Sequence, residues 1–279
     1  MEYPSSAFGD AGESGDGLPF QPLPPAAPEP PPSPAPRREP GYWDLLQLLI
    51  FALVSLGVLI VLTGVALTMI QRVTGAPMSF TEGPLKLVSM LVIQGLWWAL
   101  VLAFIYYVAV VKYGVDFAEA LAWRPSGSMV RQIAAGFALA IGVTALANIL
   151  PMPDTPSPLE ELLSDATGYL PLFVVFGVLI APAVEEAVFR GFVFGVLERA
   201  HGTKAAIVAT AALFAAPHST QYGGRWQILL ILFLVGVVLG AVRAQSGSTR
   251  ATTVIHAAYN STFMLALIAS EVSGVPIDV

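Results

Sequence analysis

Residues 45–70 read LLQLLIFALVSLGVLIVLTGVALTMI, a stretch without one charged side chain. A bilayer core takes about 20 apolar residues per helix, so this run alone points to a membrane span. Similar runs recur along the chain. Candidate spans cover about 44–70, 85–111, 130–150, 170–188 with a helical continuation to about 200, 203–218, 226–244 and 250–270. Lipid offers no partner to an unpaired backbone group, so each span must be helical. The expected fold is an all-α, polytopic helical bundle with about seven or eight transmembrane helices. Composition agrees: 56% of residues are hydrophobic and 11% charged, and the mean hydropathy is +0.73. A soluble domain carries about 25% charged residues.

Two segments divide the chain. Residues 1–40 include GLPFQPLPPAAPEPPPSPAPRREP, which has no apolar periodicity. It buries too little surface to offset chain entropy, which predicts a disordered Pro-rich tail. Residues 41–279 form the membrane domain. The few basic residues are not massed on one face, so a nucleic-acid partner is not expected. The absence of cysteine excludes disulfides and thiol catalysis.

Lys and Arg set the orientation. With the N-terminus cytoplasmic, Arg37, Arg38, Lys112, Arg124, Arg131, Arg190, Arg199, Lys204, Arg243 and Arg250 fall on the inner side. Arg72, Lys86 and Arg225 fall on the outer side, and PMPDTPSPLEELLSDATG there has no basic residue. High Ala, Gly and Pro usage and short loops suit a bacterial inner membrane.

The polar residues inside the spans carry the chemistry. Glu185 and Glu186 follow the uncharged run GYLPLFVVFGVLI. A carboxylate at mid-bilayer costs about 2.5–3.5 kcal/mol on insertion scales. Glu186 and Arg190 stand at i,i+4 with the acid first, which suits an intrahelical ion pair. That reading makes the motif structural and leaves Glu185 unexplained. His218 closes ALFAAPHS. Glu186 lies sixteen residues before Gly202 and His218 sixteen after it, each about 24 Å from a turn at HGTK. An antiparallel hairpin therefore brings the two to one depth, where an acid–imidazole contact can form. His256 and Asn260, also at i,i+4, share a helix face, either as a functional pair or as a structural polar stripe. Asn260-Ser-Thr matches a glycosylation sequon, which has no meaning inside a bilayer. The polar, Gly-containing STQYGGRWQ suggests irregular backbone beside a wet cavity. On these grounds the carboxylates are placed to handle water. A proton-coupled transporter and a non-catalytic scaffold or immunity protein remain alternatives.

EEAVFRG, with Glu185, Glu186 and Arg190, FAAPH, with Phe214 and His218, and HAAYN, with His256 and Asn260, together resemble three motifs of one family. It is the CAAX prenyl endopeptidase and bacteriocin-processing (CPBP, or Abi) group of intramembrane proteases, and the resemblance covers about residues 170–270. It implies an endopeptidase acting on a membrane-associated peptide or protein, prenylated or not. Glu185 would be the general base, and Glu186 would hold His218, which shares the proton work. His256 and Asn260 would stabilise the oxyanion, and Arg190 would orient the carboxylates. The family is commonly called a metalloprotease. A divalent metal such as zinc would then take Glu185, His218 and His256; a metal-free glutamate mechanism is the other form, favoured by Asn260 as an oxyanion donor.

Overall fold

The computed structural model describes residues 39–75, 84–153, 155–164 and 167–273. The expected disordered tail, apart from residues 39 and 40, lies outside them. Every regular element among the described residues is helical. Six helices are long and apolar enough to cross a membrane. We label them and one shorter helix in chain order: α1 (Tyr42–Thr74), α2 (Lys86–Lys112), α3 (Met129–Ala147), α4 (Leu170–His201), α5 (Thr203–Ala215), α6 (Trp226–Ser246) and α7 (Thr249–Ser273). Two short helices, Phe117–Ala120 and Pro158–Ser164, lie in connections.

The sequence places a candidate span at 203–218 whose helix, ending at Pro217, is short for a full crossing. α5 is shorter, at 13 residues or about 20 Å against a hydrocarbon core of about 30 Å. A 3₁₀ turn, Ala216–Ser219, and an irregular stretch to Arg225 complete the passage. Gly223 and Gly224, at φ 61° and 73°, take the left-handed conformation that the bend needs and that glycine adopts without strain.

Hydrogen bonds tie the helix ends into two layers. In one, Lys112 Nζ and Tyr113 Oη meet the buried Asp44 carboxylate at 2.7 and 2.9 Å. Arg199 pairs with Glu39 at 2.9 Å, and Tyr42 Oη meets His201 Nε2. Arg124 Nε donates to Gly247 O at 2.8 Å, and Thr249 Oγ1 to Leu121 O at 2.6 Å. In the other layer, Gln227 Nε2 donates to Pro151 O at 2.6 Å and Leu159 N to Gln221 O at 3.1 Å, while Arg225 approaches Glu160 at 3.7 Å. The start of α1, the ends of α2, α4 and α6, and the starts of α3 and α7 therefore share one side. The α3–α4 and α5–α6 connections share the other, so α5 with its turn acts as a crossing.

Apolar packing separates lipid-facing from interior helices. α1 exposes Leu53, Val54, Val58, Ile60, Val61 and Leu62, as a surface against lipid must, and buries only Asp44 and Leu48. Leu48 joins Val101, Ile105, Val108, Phe192 and Val193 in a cluster of α1, α2 and α4. A second cluster joins α3, α6 and α7 through Ala140, Val143, Ile231, Val235, Leu239, Ile255 and Tyr259. Small residues permit close approach here, as in other membrane bundles. The Gly136 position on α3 lies so near α7 that a Cβ there would stand 2.5 Å from Ala258 Cβ and from Ile255 O.

α4 is not a uniform α-helix. It widens into π-helical turns at Phe176–Ile180 and Ala187–Val193, on either side of the two glutamates. Such turns recur at functional sites. Pro182 follows the first and has no N–H to donate one turn back.

Candidate active site

The two neighbouring glutamates point different ways, since successive residues on a helix lie about 100° apart. Glu186 turns fully inward. Its Oε1 accepts from Arg190 Nη1 at 2.9 Å and from His256 Nδ1 at 3.1 Å. The pair Glu186–Arg190 is fully excluded from solvent on both sides, which confirms the i,i+4 ion pair and offsets both buried charges. Oε2 of Glu186 and Nε of Arg190 have no hydrogen-bond partner among the described residues.

Glu185 faces a different environment. Its side chain keeps 17% exposure against 4% for His256, and its Oε2 is 3.9 Å from His256 Nε2. That is too far for a hydrogen bond. The proton positions follow from chemistry. An ionised carboxylate only accepts, so His256 donates to Glu186 from Nδ1, and in the neutral ring Nε2 is an acceptor. Two acceptors, Nε2 and Oε2, thus face one another across 3.9 Å. The spacing suits a donor between them, and a water about 2.8 Å from each would satisfy both.

Phe214 organises the aromatic side of the site. The Arg190 guanidinium lies 4.8 Å from its ring centroid. Phe189, His218 and His256 approach the same ring at 5.8, 5.1 and 5.7 Å between centroids. His218 stands on the 3₁₀ turn after α5, with Nδ1 2.9 Å from Phe214 O. It lies within electrostatic range of Glu185. The depth argument for His218 thus brings it to the same site. The imidazole that Glu186 grips is that of His256, however, and His218 sits across Phe214. Among the described residues, Arg190 hydrogen-bonds the Glu186 carboxylate, with no such bond to Glu185.

Asn260 uses its amide on α4: Nδ2 donates to Gly177 O at 2.7 Å. Gly177 is in the first wide turn, five residues before Pro182. The missing N–H of the proline leaves a carbonyl for an outside donor, and Asn260 supplies one. The second wide turn repeats the pattern, because Arg190 O accepts from Arg243 Nε at 2.9 Å. Pro182, Gly177 and Arg243 had no place in the sequence-based site. A proline in the middle of an apolar span was the available signal.

Two basic residues counted toward the inner loops require correction. Arg190 is fully buried within α4, and Arg243 is 8% exposed. Neither marks a cytoplasmic loop; both belong to the bundle interior.

A metal would need more ligands than these residues present together. Among the described residues, no three His, Cys, Asp or Glu side chains gather closely enough to hold an ion. Glu185 and His256 approach each other, while Nδ1 of His218 is taken by Phe214 O. The residues as placed do not form the three-ligand set.

Comparison with known proteins agrees with the motifs. No curated protein and no solved structure matches the chain. A family model described as "Type II CAAX prenyl endopeptidase Rce1-like" matches residues 167–262. That interval runs from the start of α4 to beyond Asn260 and holds both glutamates, both site histidines and both wide turns. Residues 167–262 are thus similar to the Rce1-like type II CAAX prenyl endopeptidase domain, and they lie within a multi-pass membrane protein.

Proposed function

We propose that the protein is an intramembrane endopeptidase in which Glu185 activates water against a peptide bond of a membrane-associated substrate. The family is one of proteases, which supports the reaction class. The observation that carries the mechanism is the division between the carboxylates: Glu186 is committed to Arg190 and His256, while Glu185 is partly exposed and not directly hydrogen-bonded to His256.

A water donating to Glu185 Oε2 and His256 Nε2 would keep a lone pair for attack. Glu185 takes one proton as the oxygen bonds to the scissile carbonyl carbon. The tetrahedral intermediate then collapses, the C–N bond breaks, and Glu185 returns the proton to the leaving amine. Glu186 keeps His256 in the required tautomer and rotation. Asn260 has a second amide hydrogen beyond the one given to Gly177, which would be its donor to the oxyanion. With Nδ1 bonded to Phe214 O, His218 would use Nε2 for any proton work on the substrate. The substrate is a membrane peptide or protein; the basic residues that remain on the Lys112 side support an N-terminus-inside orientation, and the Ala, Gly and Pro usage with short loops supports a bacterial inner membrane.

The test compares membrane peptides from cells carrying wild type or Glu185→Gln. Peptides with new termini should accumulate only with wild type. Identical peptide sets from two folded proteins would overturn the reading. One zinc per purified chain with chelator-sensitive cleavage would reassign Glu185 and His256 as ligands.

A further inference from the structure

One helix holds Arg190 at both ends. Arg190 Nη2 donates to the Gly236 carbonyl of α6 at 2.9 Å. The Arg190 carbonyl accepts from Nε of Arg243, also on α6, at 2.9 Å. Gly236 and Arg243 are seven residues apart, two turns along one face. The Gly236 face of α6 is also tight against α5, where a Cβ at Gly236 would stand 2.9 Å from Ala211 Cα.

Arg243 is an unusual residue for this task. Near the end of a span an arginine ordinarily extends its head to the interface. This one is 8% exposed and packs its guanidinium 5.2 Å from the Phe194 ring centroid, and Phe194 is fully buried. Burying a cation is costly unless its donors are used. Here one donor goes to a carbonyl in the wide turn Ala187–Val193. The rotation of that turn determines where the Arg190 guanidinium meets Glu186, and Glu186 in turn holds Nδ1 of His256.

We propose that Arg243 is a positioning residue for the Glu186–His256 pair, acting through the backbone of Arg190. It touches no reacting atom. It fixes the wide turn, the turn sets the Arg190–Glu186 pair, and the pair sets the imidazole. The catalytic meaning rests on the proteolytic reading above; the geometric claim does not.

The experiment therefore reads the imidazole directly. The chain has three histidines, at 201, 218 and 256, so ring-¹⁵N histidine spectra in detergent micelles are simple, and His256→Gln assigns the relevant signal. In wild type, the Nδ1 proton of His256 should be downfield and slow to exchange. Arg243→Met keeps much of the stem volume and removes the donors. It should speed exchange of that proton by about tenfold or more and move it upfield, while the melting profile stays cooperative. Arg243→Gln, which keeps a shorter N–H, should restore part of the wild-type signal. New-terminus peptides in membranes should fall by about 100-fold with Arg243→Met, the scale of a misplaced catalytic group. A folded Arg243→Met protein with a wild-type His256 proton overturns the assignment. If Arg243→Met does not fold, Arg243→Leu, which likewise has no donor, decides by the same signal. If wild type cleaves nothing, the proteolytic reading fails while the spectra still test Arg243.

Discussion

At the residue scale, the two glutamates predict opposite phenotypes from one substitution. Glu185 is not directly hydrogen-bonded to His256 and retains some exposure. Glu185→Gln should leave the denaturation midpoint in detergent near that of wild type and reduce cleavage by about 10²–10⁴-fold, the worth of a general base. Glu186→Gln removes the counter-charge of a fully buried Arg190. Breaking a buried pair from one side costs about 3–5 kcal/mol, so this variant should unfold at clearly lower denaturant. Equal stability of the two variants would refute the division of roles. Much of this was readable in the sequence. The i,i+4 spacing indicates the Glu186–Arg190 bond and leaves Glu185 unexplained; its role as general base is what the family resemblance implies. The identity of the imidazole beside Glu186 was not readable. Counting from Gly202 gives depth, and both His218 and His256 satisfy a depth criterion. Rotation about the axis decides between them, and the wide turns of α4 alter it by roughly 100° for each inserted residue.

At the scale of elements, the site depends on how near α7 comes to α3 and α4. Gly136 faces Ala258 Cβ, Ile255 O and Tyr259 N, at 2.5, 2.5 and 3.0 Å from an added Cβ. None of these is the end of a flexible chain, so Gly136→Ala must push the helices apart. Overpacking of this kind costs about 1–3 kcal/mol. Because His256 lies within the contacted stretch, the shift should also lengthen its bond to Glu186, and activity should fall more than the folded fraction does. Gly142, on the same helix, has nothing within 4 Å of its added Cβ. Gly142→Ala should match wild type in both measurements. Equal behaviour of the two variants would show that this contact does not position α7. Helix existence was legible here because apolar length alone specifies it in lipid. The close approach was not, since nothing in a single chain says which small residue faces a neighbouring backbone.

At the scale of the molecule, the number of crossings decides where the site opens. Six long helices alone would return the chain to its starting side. The hydrogen-bonded layers argue for seven passages, with α5 and its turn making the short one. Arg124 meets Gly247 in one layer, and Leu159 meets Gln221 in the other. The chain has no cysteine, so single cysteines report side without background. Ser128→Cys and Lys204→Cys lie in the first layer; Thr155→Cys and Thr220→Cys lie in the second, and all four positions are exposed. With the basic side cytoplasmic, a membrane-impermeant maleimide should label positions 155 and 220 in intact cells. Positions 128 and 204 should react only after permeabilisation. Labelling of 220 only after permeabilisation, together with 128, would mean that α5 does not carry the chain across. His218 would then have to approach Glu185 from the same side as Gly202, which a 13-residue helix running away from that side does not permit.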